Sequence, residues 1–323
     1  MLPGLASAAA VAAVAVLCAR AAPLVGAPVF AIVLGVALRA VLPLPPAFRP
    51  GLAFAARTIL QTAIVVSGFT LSLAMIARTG VGTLPVTLGT IAVALVLAPL
   101  AGRLLRLDRM LQTLVGVGTA ICGASAIAAV SSVLEPEEAE TALAIATIFF
   151  YNVVAVVVFP PIGHALHMAQ DAFGVWAGTA INDTSSVVAA GYAYGREAGD
   201  HAIVVKLARA SLILPIVAVI ALWQARAKRA TGVTVPWRRI VPWFILWFLG
   251  AALVNSSGVV PAGWHDAIAT AAVFLISVAL AAIGLQTELV RLLRTGARPL
   301  ALGFVLWLAV AASSLAIQRA TGL

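Results

Sequence analysis

Long apolar runs separated by short polar connections fill this chain from end to end. A helix needs about 20 apolar residues to cross the hydrocarbon core of a bilayer. Eleven segments meet that requirement: 3–19, 23–42, 57–77, 82–102, 110–134, 141–160, 173–194, 201–224, 239–256, 264–285 and 299–318. The pattern predicts an all-α polytopic membrane protein of about 10–11 transmembrane helices. The connections leave no room for a soluble domain. A single membrane domain is expected over 1–323: an extra N-terminal helix at 1–22, a first repeat region at 23–160 and a second at 173–323.

Two segments carry more polarity than crossing a membrane requires. Residues 118–125 read GTAICGAS, and residues 178–185 read GTAINDTS. Glycine lets a helix unwind, and the N–H and C=O groups so exposed are tolerated at membrane depth only where they line a watery or protein-filled site. The N-terminus of a half-helix aims free N–H groups and positive dipole at an anion. Thr119, Cys122, Gly123 and Ser125 mark the first such place, and Thr179, Asn182, Thr184 and Ser185 the second. Close helix packing through small residues is the competing explanation.

Only the second copy contains an acid. An ionisable residue at membrane depth costs about 2.5–3.5 kcal/mol on insertion scales, so Asp183 calls for a partner or a function. It suits a proton carrier, a cation ligand, a counter-ion, or the N-cap of a short helix. Lys206 and Arg209, three apart, share a helix face. They suit pairing with Asp183, holding an anion, or snorkelling to the interface. Asn152 is a secondary candidate in mid-membrane.

If segments 110–134 and 173–194 both span, they run in the same direction. If each is a re-entrant hairpin, the two are inverted. Broken or re-entrant helices are expected rather than smooth ones. A second internal match, GFTLSLAMIARTG at 68–80 and GLQTELVRLLRTG at 284–296, also points to inverted repeats with discontinuous helices meeting near the midplane.

Composition agrees with the pattern. The chain is 63% hydrophobic and 10% charged, with mean hydropathy +1.12, where a soluble domain carries about 25% charge. The net charge of +9 sits in short loops after even-numbered segments, at Arg39 and Arg49, at Arg103, Arg106 and Arg109, at Arg226–Arg239 and at Arg291–Arg298. This predicts cytoplasmic basic loops and a cytoplasmic N-terminus, with the bilayer and not nucleic acid as the partner. The acidic loop 135–138 is assigned to the opposite side, and Arg57 reads as an interface anchor. Cys18 and Cys122 are too far apart to suggest a disulfide or metal site. His164 and His167 have no third ligand nearby. No phosphate loop, catalytic triad or cofactor motif appears, so neither an enzyme nor a cofactor is expected.

The stretches GTAICGASAIAAV (118–130), FGVWAGTAINDTSSVVAAG (173–191) and VKLARASLILP (205–215) resemble the YeiH/TauZ-type sulfate exporter family of bacteria. The resemblance runs from about residue 26 to the C-terminus. It implies an inner-membrane secondary transporter of the cation:proton antiporter and anion transporter fold. Assembly as a homodimer is left open. Asp183, Thr184, Lys206 and Arg209 match the family pattern. Asn182 stands where the family has His, Ser186 where it has Gln, and Ala120 where it has Ser, so no role of that His transfers. The resulting expectation is a secondary transporter, and an exporter, of a small inorganic or sulfur-containing anion. Backbone N–H groups and the hydroxyls of both octapeptides would hold the anion, Lys206 and Arg209 would supply charge, and Asp183 would couple transport to a proton or cation. The alternatives are a sodium- or proton-coupled importer of organic anions and an anion channel.

Overall fold

A computed structural model describes residues 1–21, 26–228, 243–287 and 296–323. Among these residues every regular element is helical. Among the described residues seven helices are long and apolar enough to cross a membrane: α1 (Leu2–Ala21), α3 (Pro46–Gly68), α5 (Leu84–Leu104), α8 (Glu138–Ala165), the span Arg196–Ile220, α14 (His265–Gln286) and α15 (Ala297–Thr321). Shorter elements are α2 (Ala27–Val41), α4 (Leu73–Gly82), α6 (Arg109–Ala120), α7 (Ala124–Leu134), α9 (Gln170–Ala180), α10 (Thr184–Tyr194) and α13 (Phe244–Ser256). The span Arg196–Ile220 comprises α11 (Arg196–Ser211) and the start of α12 (Ile213–Lys228). The molecule is a polytopic helical membrane protein.

Two boundaries differ from the hydropathy pattern. The third helix starts at Pro46, well before residue 57, because Pro46 and Pro50 suit a first helical turn whose N–H groups need no partner. It ends at Gly68, and the chain turns before Ser72 caps α4 through the Met75 N–H. Inside α3, Ala55–Ile59 form a π-turn, a local widening that often accompanies a functional site. Of the second internal match, residues 288–295 lie outside the described residues, as do most of the basic loops at 229–239 and 291–294.

Segments 110–134 and 173–194 are each broken in the middle and fold back on themselves. In the first, a Cβ on Gly118 would fall 2.9 Å from the Ile127 side chain. In a straight helix those residues would stand about 13 Å apart. Met110 and Leu134, near its two ends, line one groove. In the second, a Cβ on Gly195 would run into the side-chain amide of Gln170. Tyr194 stacks on Phe173 with ring centroids 3.9 Å apart, and its hydroxyl donates to the Met168 carbonyl. Both segments are therefore helical hairpins rather than spans. The acidic loop after Leu134 returns to the end where Arg109 entered, which corrects its assignment to the opposite side.

The long helix α8 joins the two hairpins, beginning just after the first and ending just before the second. The hairpins thus enter from opposite ends of α8, and their tips meet midway. A Cβ on Gly123 would sit 3.6 Å from the Asp183 Cβ. Helix α11 packs along both arms of the second hairpin. Helix α15 fixes one of those arms, where Trp176 Nε1 donates to the Ala311 carbonyl at 3.0 Å and Thr179 Oγ1 meets Ser314 Oγ at 2.7 Å.

Candidate functional site

At the first tip the helix unwinds over Ile121–Gly123. Gly123 has φ +67° and ψ −129°, a conformation in which any Cβ would be strained. At the second tip Ile181 and Asp183 are extended, and the Asp183 carboxylate caps α10. It accepts the Ser185 N–H at 3.0 Å and also the Ser185 hydroxyl. Each break yields one half-helix that ends at the tip and one that begins there.

The two kinds of end are treated differently. The ends of α6 and α9 present carbonyls with no helical partner, and two fully buried cations from α11 occupy them. Lys206 Nζ donates to Ile121 O and to Ile181 O, both at 2.9 Å, and so stitches the tips together. Arg209 donates from Nε to Ala120 O and from Nη2 to Thr119 O, both at 2.8 Å, and from Nη1 to Thr179 O. These are charge-assisted bonds to the negative ends of two helix dipoles. Neither makes an ion pair with Asp183 among the described residues.

The starts of α7 and α10 face a cavity of about 870 Å³. Ala124, Ser125, Asp183, Thr184 and Ser185 line it at the tips, together with Asn152 of α8 and Arg57 and Gln61 of α3. The N–H groups of Ala124 and Ser125 donate to no acceptor among the described residues. Asn152 Oδ1 accepts the Asp183 N–H at 3.3 Å, tying α8 to the second tip. The rest of the wall is apolar, including Ile64, Ile148, Phe149 and Phe244.

The sequence candidates therefore divide into two groups. Ser125, Asn152, Asp183, Thr184 and Ser185 stand on the cavity wall. Thr119, Cys122, Thr179, Asn182, Lys206 and Arg209 are buried beside it. Thr119 Oγ1 donates back to Val115 O at 2.9 Å and Thr179 Oγ1 to Val175 O at 2.7 Å, so both hydroxyls are engaged within their own helices. Asn182 Oδ1 is buried with no partner among the described residues. Gly123 shapes the first tip. Arg57, read from the sequence as an interface anchor, instead lines the cavity from the π-turn of α3, with no hydrogen-bond or ion-pair partner among the described residues. The four-residue spacing of Arg57 and Gln61, which sets both on one helix face, is the sequence signal for that pair.

Hairpins, a central cavity and buried cations define a multi-pass membrane protein organised around a polar site at mid-depth. The chain matches the family model described as Conserved hypothetical protein 698 over residues 3–303, and it belongs to that family. It is 39% identical over 309 residues to a UPF0324 membrane protein of Streptococcus pneumoniae serotype 4, covering 93% of this chain and 91% of the relative. It is 40% identical over 314 residues to one from Streptococcus pyogenes serotype M3, covering 94% and 92%. A third, from Streptococcus agalactiae serotype V, is 36% identical over 313 residues, covering 93% and 91%. No solved structure matches the chain.

Proposed function

We propose that this protein is a secondary transporter of a small inorganic or sulfur-containing anion of the sulfate kind, working as an exporter in the bacterial inner membrane. One observation carries the reading: two half-helices direct their N-termini at a single polar cavity, while buried cations occupy both opposing C-termini. The free N–H groups of Ala124 and Ser125 and the hydroxyls of Ser125 and Thr184 would hold the anion's oxygens. Arg57 would supply the directional charge, through a guanidinium suited to paired contact with an oxyanion. Lys206 and Arg209 would act from behind the tips, holding the two half-sites in register and raising the local potential. Asp183, the acid on the cavity wall, would link anion binding to a proton or cation. Hairpins entering from opposite ends suit alternating access around one central site.

Calorimetric titration tests this with sulfate, sulfite, thiosulfate, bicarbonate and a dicarboxylate, on the parent protein and on Arg57→Gln. Saturable binding of one inorganic anion is expected. A correctly folded R57Q protein should bind it at least about tenfold more weakly, equivalent to roughly 1.4 kcal/mol. Absence of binding by every inorganic anion, or equal binding by R57Q, would overturn the reading.

A second reading follows from cavity size. About 870 Å³ with an apolar wall falls in the range of pockets for organic ligands and far exceeds the volume of sulfate. A coupled importer of organic anions would bind the dicarboxylate in preference to sulfate, and would need sodium or protons to do so.

A further inference from the structure

A second cavity, of about 440 Å³, lies against the first. It is lined by Arg39, Arg49, Gln286 and Thr287, and it shares Phe149 with the central cavity. The same three helices line both spaces. Helix α3 supplies Leu52 and Ala53 to the outer one and Ala56, Arg57 and Leu60 to the inner. Helix α8 supplies Ala146 and then Ile148 and Asn152, and α14 supplies Leu285 and then Ile283. The outer cavity therefore continues the inner one towards the start of α3 and the end of α14, where Arg39 and Arg49 stand. Arg49 is exposed there and Arg39 is half-buried beside it.

We propose that these spaces form one entry route, open in this conformation towards the basic-loop side. Arg39 and Arg49 form a vestibule that selects anions, and Phe149 is the constriction between vestibule and site. This rests on the anion-binding reading of the central cavity, and it adds the face from which that cavity is filled and the residues that screen what enters. The exposed Arg49 guanidinium, beside partly apolar walls, focuses positive potential along the path, which raises the local concentration of anions and disfavours cations. An anion passing Phe149 next meets Arg57 and then the open tip of the first hairpin. For an exporter, this is the loading conformation.

The test needs no knowledge of the substrate. Ser125→Cys places a thiol on the inner cavity wall, and Gln61→Cys provides a second probe on another helix. Arg298→Cys marks the basic-loop face, because residue 298 follows directly on the α14–α15 connection. Each protein is reconstituted in vesicles and exposed to a negatively charged and a positively charged membrane-impermeant methanethiosulfonate. Labelling is followed by mass spectrometry against the parent, which carries Cys18 and Cys122. The thiols at 125 and 61 should react from the face that labels position 298 and not from the other. The anionic reagent should lose roughly 3- to 10-fold in rate in Arg49→Gln while the cationic one does not slow, as expected for focused electrostatics. Phe149→Ala should speed both reagents. Labelling from the opposite face, no labelling of either probe from any face, or equal effects of R49Q on both reagents would each overturn the proposal. None of these results depends on whether an anion binds in calorimetry, so the route and the substrate reading fail separately.

Discussion

The two hairpin tips begin with the same four residues, Gly-Thr-Ala-Ile, and then diverge. The first continues Cys-Gly-Ala-Ser and the second Asn-Asp-Thr-Ser. The shared half runs into the C-terminal helix ends, which Lys206 and Arg209 hold by backbone carbonyls. Carbonyl recognition makes few demands on side chains, so a small-residue sequence serves both tips equally. The divergent half forms the helix starts. The first tip turns through a glycine at φ +67° and leaves its N–H groups open, whereas the second turns through an acid that fills its own cap. One tip is thus available to an anion, and the other already holds a carboxylate at the equivalent place.

The comparison is broken most severely by removing what the tips share. Arg209→Met would leave three buried carbonyls without donors, and Lys206→Met would leave two. Loss of one member of a buried charged network costs about 3–5 kcal/mol. Both variants should show sharply lowered thermal unfolding midpoints in detergent, R209M more than K206M. If either variant unfolds at the parent temperature, the cations are not holding the tips, and their charge is free for another use.

The next largest effect separates the tips. Gly123→Ala forces a Cβ into a backbone region that essentially only glycine occupies, at a cost of about 1–3 kcal/mol. The corresponding residue of the second tip, Asp183, is extended at φ −94°, so Asp183→Ala carries no such strain. It loses only the cap, worth about 1 kcal/mol. Thermal unfolding of the two alanine variants should rank G123A below D183A. The reverse order would mean that the first tip relaxes around the new methyl group.

Much of this architecture was legible in the residues. Apolar run lengths located most of the helices, because bilayer thickness constrains length more strongly than any side chain does. The repeated octapeptides located both breaks, since only glycine-marked polar stretches tolerate unwinding at depth. Whether the chain crosses or returns was not legible. Ile127 touching Gly118 and Gly195 abutting Gln170 are contacts across a fold, and no local period encodes them. The roles of Lys206 and Arg209 were hidden for a related reason. A cation in an apolar helix looks the same whether it meets a ligand or a backbone carbonyl, and only the meeting of two helix ends in space decides. Arg57 reads as an anchor because it opens the predicted segment 57–77, whereas the helix begins eleven residues earlier, at Pro46.

The smallest expected change in stability is also the most informative about function. Asp183→Asn keeps an acceptor at the cap, because Asn and Asp serve nearly equally there, so unfolding should shift by less than about 1 kcal/mol. The charge is lost all the same. The carboxylate lines the same cavity as Ser125 and Arg57, where it repels an anion whenever it is ionised and unpaired. Removing it should tighten anion binding severalfold, while Asp183→Ala should lower stability as well. Calorimetric anion titration of parent, D183N and D183A distinguishes the roles. If D183N binds with the parent affinity, Asp183 is a helix cap alone. The asymmetry between the two octapeptides is then structural, and coupling must be sought elsewhere on the cavity wall.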